Sequence, residues 1–270
     1  MWTFTTGLAG LAAYAEAAEP FLLSDPVRNT VPLSVLANLR AGMPADDAYF
    51  GWWTAGDGRV GGVVFRTPPR PLALGVMPVE AAGPLAKALP GPIPGVVGRR
   101  DLVEAVVEAL GAPGTVRPER LYRLAELAVP DVPGRGRLAT AADQALLTGW
   151  HAAFAAEVAL DDGDPHEVIT RRLARRELFV WEEDGVPVAM AGLSPESGGV
   201  CRFGPVYTPP AARRRGYGAA VTAHTSRVAL AERCREVVLF TDLANPTSNG
   251  IYQSIGFRPV DDHALVTFGG

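Results

Sequence analysis

Lysine is almost missing from this sequence. Lys87 is the only one among 25 basic residues, and with 30 glycines and 24 prolines present the arginine bias reads as coding composition rather than chemistry. Cysteine is nearly as scarce. Cys201 and Cys234 are the only two, and neither has a His or Cys partner at metal-ligand spacing. That excludes a zinc module of ordinary spacing and a disulfide framework, so no metal is expected and a reducing, cytoplasmic setting fits. There is no excess of positive charge, the formal net charge being −4, which argues against nucleic acid or an anionic membrane surface as a partner. No run of 18 apolar residues occurs, so no membrane span is expected. The apolar N-terminus lacks a basic start and contains Glu16 and Glu19, and it is expected to be an amphipathic helix rather than a secretion signal.

What is there suffices for a sizeable core. The chain has 270 residues, 48% of them hydrophobic, enough for one large domain or two of ordinary size. The second half is the easier to read. Residues 141–160 place Trp150, Phe154 and Val158 at helical spacing. Asp161 to Pro165 breaks that helix, and a basic helix over 166–176 follows. ELFVWEE (177–183), an Asp184-Gly185 turn and VPVAMAGL (186–193) make a hairpin. VCRFGPVY (200–207) is a third strand. A loop then runs into a long helix, and the continuous apolar run of REVVLFTD (235–242) suggests a buried parallel strand. A short helix within 244–257 and a last strand over 257–268 complete the order.

The first half repeats this order more faintly. YFGWWTAGDGRVGGVVF (49–65) is again strand, Asp-Gly turn, strand, with Trp53 in the place of Trp181. PRPLALGVM (69–77) parallels the third strand, VEAAGPLAKAL (79–89) the helix after it, and RLYRLAELAV (120–129) a closing strand. The repeat implies an internal duplication with a period of about 130 residues. The expected organisation is a first domain over 1–130, a Pro- and Gly-rich linker over 131–140 and a second domain over 141–270. Trp52, Trp53 and Tyr49 are expected to be core residues of a strand rather than the wall of a pocket.

The chemistry concentrates in Arg213-Arg214-Arg215-Gly216-Tyr217-Gly218-Ala219, between a strand and a long helix. A helix start presents unpaired N–H groups and roughly half a positive charge. Gly216 and Gly218 leave room for close approach, and the arginines add charge, so the segment suits a pyrophosphate. It is neither a P-loop nor a GxGxxG dinucleotide fingerprint.

Arg213-x-x-Gly216-x-Gly218, preceded by Val206-Tyr207-Thr208-Pro209, is similar to the signature of the GCN5-related N-acetyltransferases. So is the later Asn245-x-x-x-Asn249-x-x-Tyr252-x-x-x-Gly256-Phe257. The resemblance covers about 140–270. It implies an α/β (α+β) fold, a mixed central sheet flanked by helices, here in two pseudo-repeated domains, with acetyl-CoA as co-substrate. The resemblance further implies that the strand before the loop splays from its neighbour to admit the pantetheine arm. That arm would pair with the backbone around Val206, Tyr207 and Thr208, an N–H near Val206 polarising the thioester carbonyl. Arg213, Arg214, Arg215, Gly216, Tyr217, Gly218 and Ala219 would hold the pyrophosphate, Asn245 and Asn249 would contact the cofactor, and Tyr252 would protonate the departing thiolate.

Plainer roles stand beside these. Tyr252 could be a packing tyrosine, and Asn245 a helix cap before Pro246. Gly256 and Phe257 suit a helix stop and a core aromatic, and Cys201 a small buried hydrophobe. An amine acceptor, on a small molecule or peptide, must lose a proton, and Glu157 is the favoured base, with Asp242, Glu182 and Glu183 behind it. The first half has no Arg-x-x-Gly-x-Gly and is expected to be a degenerate copy without bound cofactor. The expected activity is N-acetyl transfer by a monomer or homodimer; a CoA-binding regulatory module is the alternative.

Overall fold

The computed structural model describes residues 1–43, 47–158 and 163–269. The first helix begins later than the sequence suggests. Residues at the extreme N-terminus form β1 (Trp2–Thr6), antiparallel to β2 (Tyr49–Thr54) with Trp2 opposite Trp53. Thr3, Thr5 and Thr6 are β-branched and Trp2 and Phe4 aromatic, a composition that favours a pleated, half-buried strand. Helix α1 (Gly7–Ser24) follows, then α2 (Thr30–Arg40). Strand β2 turns into β3 (Val60–Arg66), the hairpin expected from the Asp-Gly turn. Strand β4 (Leu72–Leu74) is only three residues long, shorter than the expected strand over 69–77. Next come α3 (Ala82–Ala88), β5 (Gly95–Arg99), α4 (Arg100–Leu110) and β6 (Gly114–Leu124). The closing strand of this half therefore starts and ends earlier than 120–129.

Alternation along β3 divides the core. Val63 and Phe65 face α1 and α2, where they meet Tyr14, Leu22, Leu33 and Leu36. Val64 faces the other way with Leu72, Leu74 and Val96, against Leu85 of α3 and Leu102 and Val106 of α4. Each such fully buried side chain contributes roughly 1.5–3 kcal/mol. Trp52 and Trp53 follow the same alternation, Trp52 packing on the first cluster and Trp53 on the second. They are core residues of a strand.

The stretch expected as a linker carries a strand, β7 (Arg135–Leu138), antiparallel to β8 (Leu178–Glu183). Its arginines supply the reason. The buried carboxylate of Glu182 accepts from Arg135 Nε and Arg137 Nε, each at 2.7 Å, and Arg137 also reaches both oxygens of Asp143 at 2.7 and 2.8 Å. Helices α5 (Gln144–Val158) and α6 (Pro165–Ala174) lead to β8. The tail of the helix expected over 141–160, and the start of the break after it, lie outside the described residues at 159–162. Strands β9 (Val186–Leu193) and β10 (Val200–Tyr207), helix α7 (Tyr217–Glu232), strand β11 (Glu236–Asp242), helix α8 (Pro246–Ser254) and strand β12 (Phe257–Phe268) follow the expected order. Helices α5 and α6 cover one face, packing Leu147, Ile169 and Phe154 on Leu178, Val180 and Met190. His224 of α7 meets Phe179 and Trp181 on the other.

The chain divides into two compact units. The first comprises Met1–Tyr122, Phe240–Asn245 and the chain from Pro259 onward; the second comprises Arg123–Leu239 and Pro246–Arg258. Strand order is β1-β2-β3-β4-β5-β12-β6 in the first and β11-β10-β9-β8-β7 in the second. The last strand thus joins the first unit's sheet, antiparallel to β5 with Ala264 opposite Gly98 and Val266 opposite Val96. Among the described residues no helix is long and apolar enough to cross a membrane.

Candidate functional site

Strands β10 and β11 run parallel, as the apolar run of β11 suggested, and are paired at Val200–Glu236, Cys201–Val237 and Arg202–Val238. Beyond Arg202 the β11 side of β10 has no ladder partner among the described residues. On its other side β10 pairs with β9 at Phe203–Leu193, then slips register before Val206–Ala191 and Tyr207–Met190. Gly204 and Pro205 occupy the slip, and Pro205 has no N–H to give to a ladder. The result is a split strand pair with Arg202 at its apex and the backbone of Val206 and Thr208 along one edge.

The edge leads straight into the arginine-glycine segment. After a short 3-10 turn over Pro210–Ala212, Arg214 and Gly216 both adopt left-handed backbone, φ 63° and 82°, and α7 begins at Tyr217. At Gly216 a side chain would suffer the left-handed penalty and would also press on Val132 Cγ2 at 2.9 Å. Arg213 N–H goes to Pro210 O at 3.3 Å and Ala220 N–H to Gly216 O at 3.0 Å. Between them, among the described residues, no N–H from Arg214 to Ala219 is taken up by a turn or loop carbonyl. These groups lie at the positive end of a 16-residue helix. A Cβ on Gly218 would meet only Thr208 Oγ1, at 3.4 Å, so the approach to them is open. Unclaimed donors, an open cradle and a split strand fit a pyrophosphate with an extended amide-bearing arm.

The three arginines are not equivalent. Arg213 donates from Nε to Thr208 O at 2.9 Å and from Nη2 to Glu157 Oε1 at 2.6 Å, with its Cζ 5.6 Å from the Tyr207 ring centroid. Arg215 Nη2 donates to Glu183 Oε2 at 2.9 Å, and the Tyr217 hydroxyl donates to that same oxygen at 2.5 Å. Burial, then this hydrogen bond, raises the Tyr217 phenol above its usual range. Arg214 is exposed and has no carboxylate partner among the described residues. Tyr207 is buried with its ring 6.3 Å from Trp150, so only its backbone faces the split.

Helix α8 supplies the second motif. Asn249 and Tyr252 stand three apart, hence on neighbouring positions of one face. The Tyr252 ring lies 6.0 Å from Phe257, and Phe257 6.3 Å from Phe203, the residue just past the apex. Burial pushes the Tyr252 phenol up to about 12. Gly256 ends the helix at φ 106°, where a Cβ would collide with Glu126 O. Asn245 belongs to the first unit, directly ahead of Pro246, with its N–H on Asp242 O at 3.1 Å. Asp242 uses Oδ1 to accept from Ala244 N–H at 2.7 Å. The structure therefore gathers Glu157, Val206, Thr208, Arg213 to Ala219, Asn249 and Tyr252 in the second unit. Glu182 is occupied by β7. Cys201 and Cys234 are both free and buried.

Sequence reasoning missed two residues here and gave a third another role: Arg172 of α6 donates to Gly204 O at 2.5 Å, Arg202 sits at the apex, and Glu183, expected only as a lesser candidate base, holds the arginine-glycine segment. No motif marks them; each is known only by what it touches.

In the first unit β4 and β5 are likewise parallel, paired at Leu72–Val96 and Ala73–Val97. The space beyond is lined by Arg28, Gly75, Arg99, Asp261 and His263. Arg28 pairs with Asp261 at 2.7 Å and Arg99 with Asp101 at 2.6 Å.

Solved structures share this architecture along the full chain. A GCN5-related N-acetyltransferase from Sphaerobacter thermophilus is similar over 98% of this chain and 94% of its own, with TM-score 0.66 at 16% identity. An acetyltransferase of the GNAT family from Colwellia psychrerythraea is similar over 100% of both, with TM-score 0.62 at 12% identity. A tandem GNAT protein from the clavulanic acid biosynthesis pathway is similar over 100% of this chain and 99% of its own, with TM-score 0.58 at 13% identity. At these identities the likeness is one of fold. No curated protein matches the sequence. A family model for the Acetyltransferase (GNAT) family matches residues 145–257, which contain both motifs and the split strands.

Proposed function

We propose that the chain transfers an acetyl or other short acyl group from acetyl-CoA to a primary amine, by direct attack in a ternary complex at the split between β10 and β11. The observation that carries this reading is the run of unclaimed N–H groups from Arg214 to Ala219, opening onto the unpaired edge of β10. Those donors and the start of α7 hold the pyrophosphate; the edge at Val206 and Thr208 pairs with the amides of the pantetheine arm. Asn249 contacts that arm, and Asn245 is proposed to do so from its place before α8.

The amine nitrogen attacks the thioester carbon, and negative charge gathers on the carbonyl oxygen. The Val206 N–H stabilises it there, an interaction worth about 3 kcal/mol in comparable sites. The carbon–sulfur bond then breaks, and the sulfur takes a proton from Tyr252. Burial supports this role, because a phenol pushed up to about 12 is fully protonated at neutral pH. The amine proton leaves through water to Glu157. Glu157 is exposed and paired with Arg213, so pyrophosphate drawing on the Arg213 guanidinium would release the carboxylate to act. The first unit is proposed to be a copy without a cofactor site, since nothing like the arginine-glycine segment precedes α3.

Calorimetric titration with acetyl-CoA, followed by thiol release across an amine panel, tests the reading. Binding with turnover on at least one amine is expected. Absence of binding overturns it, and tight binding without any turnover would make the chain a CoA-binding regulatory module.

A further inference from the structure

Arg202 occupies the last rung shared by β10 and β11, opposite Val238, so it marks where the two strands part. Phe203 pairs with Leu193, and alternation therefore puts Arg202 on the same face as Gly192 and Ser194. That is the face under α6: a Cβ on Gly192 would touch the Arg172 guanidinium. Arg202 Nη1 is shut off from solvent and has no hydrogen-bond partner. Among the described residues no carboxylate pairs with it, and the charge acting on it is another cation, Arg172. Burial, then that repulsion, holds the Arg202 guanidinium down to about 10. Arg172 itself has the buried Glu177 at 3.5 Å. Arg172 thus has a carboxylate beside it, while Arg202 Nη1 has no partner.

An unpaired buried charge is costly, and cations in such places are normally paired or bound to a ligand. Arg202 is part-buried as a whole. Its planar fork suits a carboxylate held through two hydrogen bonds. Resting on the acyl-transfer reading above, we propose that Arg202 binds a carboxylate carried by one of the two reactants, close to the transferring carbonyl. The carboxylate belongs either to the acceptor, as in an amino acid, or to a dicarboxylic acyl chain. In both cases it replaces the missing counter-ion only when the reactant is bound.

The test uses the full chain and its Arg202→Met and Arg202→Lys variants. Acetyl-CoA affinity, measured first by calorimetry, is expected to be the same in all three. Loss of binding in the unmodified chain would sink the acyl-transfer reading itself rather than this inference. Thiol release is then compared within matched pairs: α-amino acids against their decarboxylated amines with acetyl-CoA, and succinyl-CoA against acetyl-CoA with an amine lacking a carboxylate. One arm is expected to show a preference of about 100-fold in kcat/KM for the carboxylate-bearing member. Arg202→Met should collapse that ratio to near one, and Arg202→Lys should recover part of it. The arm that responds identifies the source. No preference in either arm, or a ratio unchanged by Arg202→Met, overturns the proposal. A thermal melt without ligands gives a second readout. Removing an unpaired buried charge should leave the melting temperature unchanged or raised, and a clear fall would show a structural role instead.

Discussion

The Tyr217 hydroxyl and the Glu183 carboxylate meet at 2.5 Å, and Arg215 Nη2 shares the same oxygen at 2.9 Å. Glu183 ends β8, while Tyr217 is the first residue of α7 and Arg215 lies two residues before it. One carboxylate therefore anchors the cradle of unclaimed N–H groups to the hairpin. Its removal leaves the donors in place but less well positioned. Glu183→Ala is expected to raise the KM for acetyl-CoA by about tenfold with kcat within about twofold. Glu183→Gln keeps an acceptor for the tyrosine and should recover much of the loss. Steady-state kinetics with acetyl-CoA varied would show it; a fall in kcat at constant KM would not fit.

Gly218→Asp tests the cradle directly. The space over Gly218 is open except for Thr208 Oγ1, so the new carboxylate can fit without unfolding the helix start, but it brings negative charge to the proposed pyrophosphate position. Calorimetry is expected to show acetyl-CoA affinity lower by more than about 100-fold, with an unchanged thermal melt. Normal affinity would move the site elsewhere.

The second unit was legible because its signals are local. Asp184 and Gly185 have φ 50° and 78°, the doubly positive turn that an Asp-Gly pair encodes, and the strands on either side alternate cleanly. The arginine-glycine segment likewise carries its proposed role in backbone N–H groups that any helix start exposes. What stayed hidden depends on partners far along the chain. Arg135 to Leu138 looks like linker because arginine and glycine favour no strand, yet Glu182, more than 40 residues on, pins it into one. The path of β12 into the first unit's sheet is invisible for the same reason, since a strand's pattern does not name its neighbour. Arg202 gave no signal at all, because burial of a charge is a property of the fold.

Tyr252→Phe keeps the ring contact with Phe257 and removes only the hydroxyl. If that hydroxyl protonates the leaving sulfur, kcat falls by about 100-fold while acetyl-CoA affinity stays within about threefold. Because burial holds this phenol up to about 12, its loss of the proton contributes no basic limb to the rate below about pH 10. Unchanged turnover in the variant would leave Tyr252 a packing residue.

Glu157→Gln separates two roles. If Glu157 takes the amine proton, the variant should lose about tenfold in kcat. The Arg213 ion pair is also lost, which frees the guanidinium for the pyrophosphate, so the KM for acetyl-CoA should stay constant or fall. A higher KM with unchanged kcat would instead assign Glu157 to holding the loop.

His263 should make the first unit acid-sensitive in a defined window. Its ring stacks edge-on against Phe240 at 4.9 Å, opposite Arg99 on β5. Burial dominates its titration. The charges of Asp261, Asp262 and Asp101 oppose that shift and Arg99 adds to it, and the imidazole is held down to about 4 from an ordinary 6.5. A base with a depressed folded value binds its proton more readily when unfolded. Its full stability is therefore present above about pH 6.5 and is lost as the pH falls toward 4. The loss is on the order of 1–3 kcal/mol, allowing for the ring's partial exposure. Asp143, held at about 2 first by Arg137, acts only below about pH 4, so the two windows do not overlap. Denaturant titrations at pH 7 and pH 5 should show the difference in the native chain and a much smaller one in His263→Phe; an equal drop in both would assign the acid sensitivity to another group.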